Sequence, residues 1–573
     1  MSVHRMVWLR MVWLHIPLSM SRKISCIGFQ PVVFTSQAGR LCHIQKRTVI
    51  FLTMLMLGVL ISASTIAAQP QRADPHATAP VGISNIGVKE CAACHSAPSP
   101  IYKALGVTRF VRLVEATEWL ERDKHAYAYE LVRQNLSDGE LEKVERKSNK
   151  LSVDITSKLN WKVGDGNFEQ KCLSCHVGRS AAAPSAKMDL IFGVQCESCH
   201  GPGSEYAKMK HHQQVSWRAK TPEEKTALGM WDLTSPSTSA AVCLSCHLGN
   251  IDEGRFVTHD MYAAGHPVLP PFDLQTFLSA MPPHWTTIAE KPIGANSSKS
   301  NVSTFELQAE YNHAHFDIAG TNDAIQLAIQ GSYDKTRKSM IGGLVANDLG
   351  IELIHQAAAE TKTWGDYSIY NCMGCHQELK KNRTQFKHES RIPGRPFPAN
   401  WLTLEYPKIH VFNRDKQETL TREMTASFNA VPFGDAMQLN ELRDGHREIL
   451  SDRFADRRKL ERQVLTKQDV RQWLEFLVKS RQDSLDDYWV AKQTAWMVCV
   501  AVDELVEHGE LSFASVAPIQ KELRESLHLD LRLPQRQSVL GGQKGSLETA
   551  RSFDVARCQE LLIKMVEATS SIR

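Results

Sequence analysis

Ten of the 14 cysteines fall in five copies of one pattern, Cys-x-x-Cys-His. The copies are Cys91-Ala-Ala-Cys94-His95, Cys172-Leu-Ser-Cys175-His176, Cys196-Glu-Ser-Cys199-His200, Cys243-Leu-Ser-Cys246-His247 and Cys372-Met-Gly-Cys375-His376. Two thiols at this spacing can each add to a vinyl group of one porphyrin, and the adjacent imidazole then turns onto the iron as proximal ligand. Zinc is the competing reading, because paired Cys-x-x-Cys knuckles hold that ion. Neither a zinc ribbon nor a redox dithiol, however, requires histidine after every second cysteine. All five copies carry it, so five covalently attached haem c groups and their iron are the expected cofactors. His95, His176, His200, His247 and His376 are the expected proximal ligands.

An electron-transfer haem usually takes a second protein ligand, whereas a haem that binds substrate keeps that position open. The chain has 23 histidines, and those clustered among the motifs are His125, His211, His212, His259, His266, His284, His313, His315, His355 and His388. Any of these alone could equally be a surface or hydrogen-bonded core histidine, so context must choose. His125 follows Glu118-Trp119 on a helix-like stretch, and His211 lies shortly after the third motif, with His212 as its alternative. His259 and His266 bracket Asp260 to Gly265, and His355 sits in the helix-like run Leu349 to His355. His125, His211, His259, His266 and His355 are therefore the candidate distal ligands. No catalytic residue is assigned.

Three blocks extend beyond the pentapeptides: Gly193-Val-Gln-Cys196 through His200-Gly-Pro-Gly-Ser204, His259-Asp-Met-Tyr-Ala-Ala-Gly-His266-Pro267, and Phe272-Asp-Leu through Met281-Pro-Pro-His284-Trp285. Together they make the stretch from about Lys89 to Leu379 resemble the cytochrome c-554 type of multihaem cytochromes. That family is grouped with octahaem hydroxylamine oxidoreductases and pentahaem nitrite reductases. The resemblance implies a mainly α, loop-rich multihaem core with little β, organised around stacked haems, with electron transfer as the common activity. Five motifs stand here against four in the namesake family, so the fifth is placed by pattern alone. The nitrite reductases use lysine as proximal ligand on the catalytic haem, and this chain has no Cys-x-x-Cys-Lys.

The elements that position these residues are legible in part. The second and third motifs start 24 residues apart, at Cys172 and Cys196, so their haems are expected to be close neighbours. Gly294 to Thr304 reads as a polar loop, and the basic, proline-bearing run from Lys380 to Pro396 as a linker or a docking patch for an acidic redox partner. From about Trp401 long amphipathic helices follow. Thr466-Lys-Gln-Asp469 has the form of a capping box, with Val470, Trp473, Leu474, Leu477 and Val478 on one face. A second helix is expected from near Ser484 and a last one through Val555, Cys558, Leu561, Leu562, Met565 and Val566. Cys499 and Cys558 fall on apolar faces, as core thiols or as a disulfide pair, and the tryptophans read as packing rather than as an electron relay. His410 and His446 are further ligand candidates in this half.

The N-terminal region reads as a secretory signal. Lys46-Arg47 precedes an apolar run from Val49 to Ile61 and then small residues around Ala63, Ala67 and Ala68. Export to the bacterial periplasm suits covalent haem attachment; an uncleaved signal would anchor the chain to a membrane. Residues 1–45, with Cys26 and Cys42, lie upstream of any ordinary signal. The expected organisation is a precursor region over 1–68, a four-haem module over 69–285, a loop, fifth-haem segment and linker over 286–398, and a helical domain over 399–573. At 573 residues, 42% hydrophobic, 23% charged and a net charge of +4, composition excludes wholesale disorder and a polytopic membrane protein and does not favour nucleic acid. Two functions remain. One is an exported pentahaem carrier with redox protein partners, among them a membrane electron-transfer complex. The other is an oxidoreductase with one open iron acting on hydroxylamine, nitric oxide or nitrite.

Overall fold

The computed structural model describes residues 82–96, 113–133, 150–162, 166–178, 191–208, 220–285, 333–360, 364–372, 414–430, 434–479, 485–531, 549–550 and 552–572, with Lys210, His212, Trp217 and His376 besides. The chain divides into two compact units, Met1–Arg72 and Ala73–Arg573, and all of the described residues belong to the second. The signal, the Gly294–Thr304 loop, the basic linker, His410 and the three boundaries expected near 68, 286 and 398 fall outside them.

The fold is mainly α. Among the described residues there is no strand, only an isolated bridge between Asn250 and Arg255. The helices up to Ala280 are short: α1 Val88–His95, α2 Glu115–Arg122, α3 Ala128–Val132, α4 Lys150–Lys158, α5 Ser174–His176, α6 Cys196–His200, α7 Pro222–Thr226, α8 Pro236–His247, α9 His259–Ala264 and α10 Leu274–Ala280. Those that follow are longer: α11 Asp334–Ala359, α12 Arg414–Asn429, α13 Ala436–Arg462, α14 Lys467–Lys479, α15 Tyr488–Glu507, α16 Phe513–Leu527 and α17 Val555–Ala568.

Local chemistry accounts for many of the ends. Thr466 and Asp469 form the expected capping box ahead of α14: Asp469 N donates to Thr466 Oγ1 at 3.2 Å and Thr466 N to Asp469 Oδ2 at 2.8 Å. The next helix starts at Tyr488 rather than near Ser484, because Asp487 is the cap and accepts from the main-chain N–H groups of Trp489 and Val490 at 3.0 Å each.

The apolar interior is distributed unevenly. One core runs from Ala240 to Ile572 and takes in α8, α10, α11 and every helix from α12 to α17. Helix α11 is its axis, buried along nearly its whole length. Trp473, Trp489 and Trp496 are packing residues of this core, and Cys499 and Cys558 are buried free thiols in it. Burial pushes both thiols up to about 12. Around the first three motifs, by contrast, the described side chains form only two small clusters, one of Tyr129, Val132, Phe168, Cys172 and Val177, the other of Val88, Trp119 and Ala126.

Candidate haem sites

Cys-x-x-Cys-His spans one helical turn, and residues three and four apart share a helix face. The fold ends a helix at the motif histidine four times: α1 at His95, α5 at His176 after a π-helical turn over Glu169–Leu173 that carries Cys172, α6 at His200 and α8 at His247. Each helix stops at its histidine and the chain turns away, which clears the face that carries both thiols and the imidazole. After His200 the turn is made by Gly201, at φ +81°, where a Cβ would stand 2.2 Å from the Gly229 carbonyl oxygen. In the fifth motif Cys372 and His376 are described, whereas Cys375 lies outside the described residues.

Second histidines face the motif histidines. The rings of His95 and His212 lie near-parallel, their planes at 11° and their centroids 6.4 Å apart. His247 faces His125 at 6.2 Å and 87°, His200 faces His284 at 6.5 Å and 73°, and His376 faces His259 at 6.2 Å and 29°. His176 and His266 lie close enough that the charge of one acts on the other. A metal held between two imidazoles, with about 2 Å to each nitrogen and about 1 Å more to each ring centre, puts centroids roughly 6 Å apart. The four measured separations fit an iron between the rings of each pair.

The ring nitrogens are sorted in the same sense. His95 Nδ1 is 2.9 Å from Glu115 Oε2, and His125 Nδ1 is 2.9 Å from Asp123 Oδ1. His176, His266 and His284 place Nδ1 on the carbonyl oxygens of Ala128 at 2.9 Å, Pro267 at 2.8 Å and Pro282 at 3.3 Å. Donation from Nδ1 selects the tautomer whose Nε2 has a free lone pair, which is the ligating form. Burial pushes His176, His200 and His247 down to about 4, so these imidazoles are neutral at pH 7. Glu115 raises His95 instead, and Asp123 raises His125 despite its burial.

Of the five expected distal ligands, His125 and His259 stand opposite motif histidines and His266 lies near His176. His211 lies outside the described residues, and it is its neighbour His212 that faces His95. His355 is a correction. Its Nε2 lies 3.0 Å from Nδ1 of His446, whose own Nε2 is 3.0 Å from Glu423 Oε2. The two rings are in direct hydrogen-bond contact, too close for an iron between them, because α11 turns this face toward α13 inside the large core. His446 is accordingly engaged there as well.

His284 was one histidine among many in the sequence. Its signal was its place in the third of the blocks that carry the family resemblance, Phe272 through Trp285. Glu115 and Asp123 carried no signal, since each is an ordinary helix-end acid in the sequence. Gln195 and Glu197, next to and inside the third motif, were likewise unmarked. Glu197 accepts from the N–H groups of Ile86, Gly87 and Gly203 at 2.8, 2.8 and 2.7 Å, and Gln195 Oε1 accepts from Val88 N at 3.1 Å. The third motif thereby holds the N-terminus of the helix that carries the first.

Contacts between motifs set the spatial order of the sites. The thiols of Cys91 and Cys196 lie close to one another, as do those of Cys175 and Cys246. Cys199 lies near Cys243 and Cys246. Gly193 packs on the main chain of His125, its absent Cβ only 2.4 Å from the His125 carbonyl oxygen, and Val194 N donates to the same oxygen at 2.9 Å. The α9 segment carries His259 at one end and His266 just beyond the other. Asp366 holds its start to the fifth motif, accepting from His259 N at 2.9 Å and Ser368 N at 2.8 Å. Behind the fourth site, Phe277 stands edge-on to His247 at 5.0 Å and to Trp496 at 6.1 Å, so α10 and α15 form its wall.

No curated protein and no solved structure matches the chain. Residues 90–201, which hold the first three motifs, match the family model described as cytochrome c554 and c-prime. That span of the chain is therefore similar to the cytochrome c-554 family, a likeness that suggests a c-type cytochrome module with covalently bound haem c and a part in electron transfer.

Proposed function

We propose that the protein is an exported pentahaem c-type cytochrome that passes electrons along its haems in the spatial order first, third, fourth, second, fifth. The observation that carries this reading is that every motif histidine has a second histidine opposite or close to it. Cys91, Cys94, Cys172, Cys175, Cys196, Cys199, Cys243, Cys246, Cys372 and Cys375 hold the five macrocycles, with His212, His284, His125, His266 and His259 as distal ligands to the first, third, fourth, second and fifth. Bound haem supplies a one-electron carrier at each site, and two imidazoles on one iron leave no position for a small substrate. The chain's own residues orient those imidazoles through Nδ1 and bring adjacent motifs together at their thiols. The two small apolar clusters of the haem region suit a core that the macrocycles complete. Redox proteins are the expected partners, docking near the ends of the series at the first and fifth sites.

Haem stoichiometry by pyridine haemochrome, ferric EPR and carbon monoxide titration of the reduced holoprotein test this reading. Five haems, all low-spin and indifferent to carbon monoxide, are expected. A high-spin iron that binds the gas overturns it in favour of an oxidoreductase acting on hydroxylamine, nitric oxide or nitrite. Export is tested separately, by the mature N-terminus, expected shortly after Ala63 to Ala68.

A further inference from the structure

The anchors of the proposed ligands are chemically unequal. Two are carboxylates: Glu115 on His95 of the first site and Asp123 on His125 of the fourth. Both ligands of the second site, His176 and His266, rest on main-chain carbonyls instead. Each carboxylate is itself held by the backbone, Glu115 Oε1 accepting from Leu113 N at 3.1 Å and Asp123 Oδ1 from His125 N at 2.9 Å. Asp123 is 2% exposed, where a charge is little screened by water.

A carboxylate that accepts from Nδ1–H draws the proton toward itself and gives the ring imidazolate character. The ring's Nε2 then becomes a stronger donor, which favours ferric over ferrous iron; a neutral carbonyl does this far less. We propose that Glu115 and Asp123 are positioning residues that set the reduction potentials of the first and fourth haems below that of the second. In the spatial order above, a lowered site thus stands at the head of the series and another immediately before the second haem. The charges also reach further. Asp123 acts on His284 and Cys199, and Glu115 on His200, so each carboxylate has a weaker influence on the third site.

This inference rests on the ligand pairs proposed above, and the test separates the two. Glu115→Gln and Asp123→Asn holoproteins are titrated potentiometrically with ferric EPR as the readout. The near-parallel rings of the first and fifth sites and the steeply inclined rings of the third and fourth give different low-spin line shapes, rhombic and large-gmax, so the class of component that moves can be identified. Each substitution is expected to change the ferric-over-ferrous preference of its own haem about tenfold, a rise of ~59 mV for a one-electron couple. The third haem should move less, and the second and fifth not at all. Asp123→Glu should restore part of the fourth-site shift. Fewer than five low-spin haems in the wild-type protein would sink the ligand assignment. Five low-spin haems whose potentials ignore both substitutions would leave that assignment standing and overturn this inference. If Asp123→Asn fails to mature, Glu115→Gln decides the matter alone, because its carboxylate stands at a partly exposed site.

Discussion

At the scale of single residues, the haem region depends on a few side chains that reach between motifs. Glu197 occupies a variable position of its own pentapeptide, yet it accepts three main-chain N–H groups, two of them at the entry to α1. A buried N–H left without an acceptor is costly, and hydrogen bonds to a charged acceptor are stronger than neutral ones. Glu197→Ala is expected to destabilise the holoprotein by ~3 kcal/mol in chemical denaturation and to lower haem loading at the first motif. Unchanged stability with full loading would show that Gln195 alone holds the two motifs together. The pair His355 and His446 shows the other side of residue-scale reading. Two histidines in contact can be a ligand pair or a hydrogen-bonded pair, and ring separation decides: 5.1 Å here against 6.2–6.5 Å at the proposed haem sites.

Elements divide into two kinds by what stabilises them. The short helices of the haem region have few turns of their own, and isolated helices of that length are marginal in water, so their persistence depends on tertiary contacts and on the macrocycles. The long helices behind them bury wide apolar faces against one another. Their closeness has a specific signature at Gly342 of α11, where a Cβ would lie 2.5 Å from Cβ of Leu274 at the start of α10. Neither helix can withdraw, because Leu274 is fully buried and Asp273, the cap of α10, accepts from Ser339 Oγ of α11. Gly342→Ala is expected to cost about 1–3 kcal/mol by overpacking, despite alanine's higher helix propensity. Thermal melting would check it, and a stabilised variant would mean that α10 and α11 slide freely.

At the scale of the molecule, the two halves differ in what fills them. The core from Ala240 to Ile572 is closed by side chains, whereas the clusters around the first three motifs are small. Removing one haem should therefore be felt locally. Replacing Cys172 and Cys175 together by Ser is expected to lose one haem and to raise amide exchange in α3, α4 and α5, while α14 to α17 keep their protection. Exchange spreading equally through α15 and α17 would mean that the haem region supports the large core. The sequence by itself determined the chemistry of attachment, because thioether bonds and proximal ligation need only residues adjacent in the chain, and five copies of Cys-x-x-Cys-His stand in plain view. It also carried the amphipathic faces of α14, α15 and α17 and the capping box at Thr466, all of which are set within one or two helical turns. Only the tertiary structure decided which histidines face the motif histidines and which acids anchor them. His212, His284 and Glu115 act across gaps in the chain that no local spacing encodes, Asp123 gains its role from where the fold carries its neighbour His125, and His355, with equally good local credentials, was carried by α11 into the core beside His446.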